Sequence, residues 1–220
     1  MRSLITFYGP DKKNNNCTKK ENDINLYNIW KKLGKPMILH NGVCKSVVFS
    51  LLLIAANSAY PSCPAALDYY KRPLTGDQPV YLCDEMRGKV VLVVNTASKC
   101  AYTAQYDGLE KLYDRYRKQG LIVAGFPSND FAGQEPGTEK QIQDFCRLTY
   151  AVQFPMFEKV RVIGESADPF YQYLASVTGQ QPRWNFHKYV LDREGRVVAS
   201  FPSQVTPDDK RLVGLIEDLL

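Results

Sequence analysis

Two unbroken apolar runs constrain this chain more than any other feature: Val90-Val91-Leu92-Val93-Val94 and Leu121-Ile122-Val123-Ala124-Gly125-Phe126. A strand with one wet face alternates polar and apolar residues. A strand buried on both faces does not, so each run reads as the interior of a sheet covered on both sides. Between them Leu109, Leu112, Tyr113 and Tyr116 recur at helical spacing over 103–119, and Gly120 provides the stop. Strand, helix and strand in that order make a right-handed parallel unit.

The rest of the pattern builds on this unit. Two short extended segments, 67–72 and 79–83, flank Thr75-Gly76-Asp77, a hairpin signal. Helices are predicted over 137–150 and 168–177. Strands over 187–192 and 196–201 meet across Arg193-Glu194-Gly195, and a last helix runs from about 207. A βαβ unit followed by ββα is the layout of a thioredoxin-like α/β fold. The expectation for 60–220 is one domain with a central mixed sheet flanked by helices and an N-terminal β-hairpin. Apolar residues make up 45% of the 220 and charged residues 23%, near globular averages, so such a core can be filled.

Residues 1–36 are polar, with Asn14-Asn15-Asn16 and clustered lysines, and read as a disordered extension or a segment read from an upstream start. From 37 to 59 the pattern changes. Lys45 precedes the apolar run Val47 to Ala56, and the small residues Ser58 and Ala59 follow. This is the layout of a secretory signal peptide, and the run is short against the roughly 20 residues of a membrane span. The expectation is export to a periplasmic or extracellular space, with a membrane anchor if the segment is not cleaved. The net charge of +5 is unevenly placed, with lysines crowding residues 1–36. No groove-reading motif or basic helix accompanies it, so nucleic acid is not an expected partner.

Six cysteines stand at 17, 44, 63, 83, 100 and 146, with no Cys-x-x-Cys pair, and the histidines are His40 and His187. Zinc-ligand spacing is missing, so neither a metal nor a cofactor is expected. Export would place Cys63 and Cys83 in an oxidising compartment. They bracket the hairpin, so a structural disulfide with a Cα separation of about 5.5 Å is feasible.

Cys100 is the candidate for chemistry. It follows a buried strand and precedes a helix, whose free amide N–H groups favour a thiolate, and Lys99 adds a cation. The motifs from Gly88 onward then specify more. Asn95-Thr96-Ala97-Ser98-Lys99-Cys100, Phe126-Pro127-Ser128-Asn129-Asp130-Phe131 with Gln134-Glu135-Pro136-Gly137, Phe154-Pro155-Met156-Phe157, and Trp184-Asn185-Phe186 with Lys188 together resemble the glutathione peroxidase family in order and spacing. The resemblance is to its cysteine-containing, thioredoxin-dependent, exported type.

That resemblance implies a thiol peroxidase reducing hydrogen peroxide or organic and lipid hydroperoxides through a Cys100 sulfenic acid. The catalytic residues it implies are Cys100, Gln134, Trp184 and Asn185; the last three supply neutral N–H donors rather than a titrating base. Cys146 stands where the thioredoxin-dependent members carry the resolving cysteine. Ser128 replaces a cysteine, and Ala101 and Ala104 replace the usual Gly and Pro. The short 178–183 segment lacks the interface loops of tetrameric members, so a monomer is expected. Residues that bind glutathione in animal members have no clear counterparts, which leaves a thioredoxin-like protein or glutathione as reductant. An oxidant sensor that passes its disulfide to a partner protein would carry the same residues.

Overall fold

The structure is a computed structural model that describes residues 62–220. The leader expected over 37–59 and the extension before it lie outside the described residues.

The central sheet has four strands in the order β4-β3-β5-β6. Strand β3 (Val90–Thr96) is buried at every position and pairs in parallel with β4 (Leu121–Pro127), from Val90 opposite Leu121 to Thr96 opposite Pro127. On its other side β5 (Lys188–Leu191) runs antiparallel, and β6 (Val197–Phe201) closes that edge. Alternate side chains of β3 point to opposite faces. Val90, Leu92 and Val94 meet α2 (Gln105–Tyr116), α3 (Glu139–Tyr150) and α5 (Lys210–Leu219) through Leu109, Ile142, Cys146 and Ile216. Val91 and Val93 meet α1 (Leu82–Met86) and α4 (Pro169–Thr178) through Leu82, Met86, Phe170 and Leu174. Two apolar cores, one on each face, are why the strand sequences show no alternation.

The hairpin is shorter than its sequence suggests. Strands β1 (Tyr70–Lys71) and β2 (Val80–Tyr81) pair over two positions, and Gly76 closes the turn onto the Pro73 carbonyl at 3.0 Å. The stretch predicted to extend β2 through 83 turns into α1 instead. Its Leu82, Cys83 and Met86 are buried on one side, and a helix brings all three onto the sheet where a strand would split them between faces. Cys63 and Cys83 are joined by a disulfide, Cα atoms 6.0 Å apart. Gly120, with φ of 108°, ends the 3₁₀ turn after α2 in a left-handed conformation that suits glycine.

Candidate active site

Parallel β3 and β4 end on the same edge of the sheet, and antiparallel β5 begins there. The loops leaving or entering these strands carry the candidate residues. After β3 the chain does not enter a helix at once. Residues 97–104 form successive turns, and α2 begins only at Gln105. Thr103 pins these turns: its hydroxyl donates to the Ala97 carbonyl at 2.9 Å and accepts from the Cys100 amide at 2.9 Å. The amide N–H that reaches the Cys100 sulfur is that of Tyr102, at 3.4 Å. The donor expected from a helix start therefore comes from a turn ahead of it. Cys100 is half-buried, as an accessible nucleophile must be.

The second loop follows β4. Ala132 and Gly133 both adopt positive φ, 53° and 61°, and this reversal returns Gln134 toward the first loop. There the Lys99 amide donates to the Gln134 carbonyl at 3.0 Å. The third loop precedes β5. The Asn95 side chain, at the end of β3, donates to the Trp184 carbonyl at 3.1 Å, and the Asn95 backbone carbonyl accepts from the Phe186 amide at 2.6 Å. Phe186 takes a φ of 65° to make this turn. The Asn185 side chain then donates to Gln134 Oε1 at 2.9 Å. Trp184 is 37% exposed and its ring lies 5.6 Å from that of Phe131.

Gln134 and Asn185 are thus in direct contact, Trp184 adjoins Asn185 in the chain, and Cys100 is tied to Gln134 through Lys99. With Oε1 occupied, the Gln134 amide nitrogen is left to donate elsewhere. A groove of about 710 Å³ opens beside Trp184, lined also by Tyr102, Arg183, His187 and Pro202. A groove of similar size between α2 and α5 is lined by none of the four candidates. Cys146 lies elsewhere, inside α3, fully buried and in no disulfide. Burial pushes its thiol up to about 11. Sequence reasoning missed Thr103 and Asn95, the residues that hold the loops. A Thr three residues after Cys100 and an Asn closing an apolar strand were the available signals.

The arrangement is that of a thioredoxin-like fold presenting a cysteine on the loop after a central strand. The family model for glutathione peroxidase matches residues 67–175. A glutathione peroxidase of Lactococcus lactis is 46% identical over 130 residues, covering 57% of this chain and 82% of that protein. A glutathione peroxidase-like peroxiredoxin of Schizosaccharomyces pombe is 43% identical over 144 residues, 64% of this chain and 91% of that one. The crystal structure of Trgpx in apo form superposes with a TM-score of 0.58 at 31% identity, covering 72% of this chain and 96% of that chain. The chain belongs to the glutathione peroxidase family, and its activity is that of a glutathione peroxidase-like thiol peroxidase.

Proposed function

We propose that Cys100 attacks the peroxide, that Gln134, Trp184 and Asn185 hold the reacting groups, and that Cys146 resolves the product. The thiolate of Cys100 displaces alkoxide or hydroxide from the O–O bond, leaving a sulfenic acid and an alcohol or water. Neutral N–H donors stabilise the developing negative charge without competing for the proton. The observation that carries this reading is the Asn185–Gln134 hydrogen bond on the loop tied to Lys99.

Cys146 then condenses with the sulfenic acid. Its helix packs Ile142 and Cys146 into the core, so the two sulfurs meet only if α3 opens locally, a motion of the low-stability kind. The reductant is a thioredoxin-like dithiol protein, with glutathione as the alternative. Export is supported by the leader pattern over 37–59 and by the Cys63–Cys83 disulfide, since such bonds persist in oxidising compartments.

Steady-state consumption of hydrogen peroxide and an organic hydroperoxide, with thioredoxin or glutathione as reductant, tests the scheme. Thioredoxin should sustain turnover by the parent chain, and Cys100→Ser should abolish it. Cys146→Ser should complete one reduction and stop. Full thioredoxin-driven turnover in Cys146→Ser would assign resolution elsewhere.

A further inference from the structure

A buried polar cluster between the Cys100 loop and α3 has no part in the scheme above. Glu135 directly follows Gln134 and is 1% exposed. Its Oε2 accepts from the Ser98 hydroxyl at 3.1 Å, and its amide donates to Asn129 Oδ1 at 2.8 Å. Its Oε1 is buried without a hydrogen-bond partner. The Tyr106 hydroxyl lies beside the Cys146 thiol and the Thr96 hydroxyl, and Glu135 is near enough for its charge to act on both Cys146 and Tyr106. An orphaned buried polar atom costs about 1–3 kcal/mol, so the unpaired Glu135 oxygen requires a functional account.

Position adds to this. Ser98, Lys99, Glu135, Gly137, Ile142 and Phe145 line a cleft of about 370 Å³, with the Cys100 loop on one wall and the first turns of α3 on the other. Glu135 is the one acidic residue in that lining. Disulfide formation needs a base, because even a thiol freed from burial titrates at about 8.5 and stays mostly protonated at neutral pH. Gln134, Trp184 and Asn185 offer two amides and an indole, none of which takes up a proton near neutral pH. Burial also raises the Glu135 carboxyl above its ordinary range, against the pull of the Ser98 hydrogen bonds and of Lys159 and Lys99. Raised proton affinity makes a carboxylate a better general base.

We infer that Glu135 accepts the proton of Cys146 in the disulfide-forming step, held on the Cys100 side of the cleft by Ser98. The inference rests on Cys146 being the resolving residue. Glu135 and its anchors Ser98 and Asn129 all lie outside α3, so the carboxylate stays beside Cys100 as the helix opens. The step balances: the Cys146 sulfur forms the S–S bond while the Cys100 S–O bond breaks. Cys146 is oxidised from thiol to disulfide and Cys100 is reduced from sulfenic acid to disulfide. The departing hydroxide leaves as water with the proton that Glu135 took.

Glu135→Gln keeps the side chain's shape and an acceptor for Ser98 while removing the base. Rapid mixing of the reduced chain with hydrogen peroxide separates sulfenic acid formation from its conversion to disulfide. The loss in Glu135→Gln should fall on the second step, by about tenfold or more. In the parent, the second step should hold a plateau between the titration of the carboxyl and that of the thiol. In Glu135→Gln it should climb steadily with pH toward the thiol range. The groups facing Glu135 that could shape this profile are Lys99, Lys159, Tyr106 and Cys146. The parent profile decides the matter even if the variant does not fold, because a steady climb with no plateau overturns the inference. An unchanged second step in Glu135→Gln also overturns it, while leaving the role of Cys146 standing. If peroxide-treated parent contains no Cys100–Cys146 disulfide, the resolving role and this inference fall together.

Discussion

The Asn185 side-chain amide donates to the side-chain oxygen of Gln134 across 2.9 Å, joining residues 51 positions apart in the chain. Asn185 is fully buried, so the bond fixes which end of the Gln134 amide is left free to donate in the proposed scheme. Gln134→Ala and Asn185→Ala should each slow sulfenic acid formation by roughly 10- to 1000-fold, the cost of losing a preorganised donor. The double variant should lose much less than the product of the two, because each substitution disables the same pair. Stopped-flow rates for the four proteins give the coupling. Fully multiplicative losses would show that the two residues act independently.

The Cys63–Cys83 disulfide closes a loop with a sequence separation of 20 and packs in the core on the opposite face of the sheet from the one Cys100 packs against. In the chain-entropy model that closure is worth about 3 kcal/mol. Cys63→Ser should lower the urea midpoint correspondingly and leave the rate of peroxide reduction unchanged. Equal midpoints for parent and variant without reductant would show that the bond contributes nothing to stability.

His187 gives the fold an acid limit. Burial, with Lys188 and Arg183 nearby, holds its imidazole down at about 4, whereas an unfolded chain's imidazole titrates near 6.5 (approximately). Between these values the unfolded state binds more protons, so stability falls as pH falls. The contribution is complete above the unfolded value and is lost as pH drops through the folded one, about 3 kcal/mol over the window. Its Nε2 sits 2.8 Å from the Ser200 hydroxyl, a contact Gln can replace. Denaturant unfolding between pH 4 and pH 7 should therefore show a shallower slope in His187→Gln; parallel curves would place the acid sensitivity elsewhere.

Helix α3 begins with a capping box: the Gln141 amide donates to the Thr138 hydroxyl at 3.3 Å and the Thr138 amide donates to Gln141 Oε1 at 2.9 Å. Thr138→Ala should cost the helix about 1 kcal/mol, which is about a fivefold rise in its open population. Alkylation of Cys146 should accelerate by about that factor, and disulfide formation with it where opening limits the rate. Unchanged labelling would mean that Cys146 is exposed by some motion other than opening of the α3 N-terminus.

Which parts of this molecule could be read from its sequence follows from the range of the interactions involved. β3, β4 and α2 were legible because their burial leaves a pattern within a few residues. α1 was not, since Leu82 to Met86 is too short to display a helical period and only its packing against Val91 and Val93 reveals it. The proposed site residues stood out through their motifs, Cys100 first. Their supports did not, because Asn95 finds its partner at Trp184, 89 positions away, and Glu135 finds Ser98 37 positions away. No local pattern encodes such partnerships.

The central claim is that peroxide is reduced at Cys100 and that Cys146 alone resolves the product. The most direct test adds one equivalent of hydrogen peroxide to the reduced chain and to Cys146→Ser, then maps every cysteine by mass spectrometry without further reduction. The parent should yield a Cys100–Cys146 disulfide, and Cys146→Ser should yield a trappable sulfenic acid at Cys100 with its other cysteines unchanged. An unmodified Cys100 in either protein after the peroxide is consumed would contradict the account.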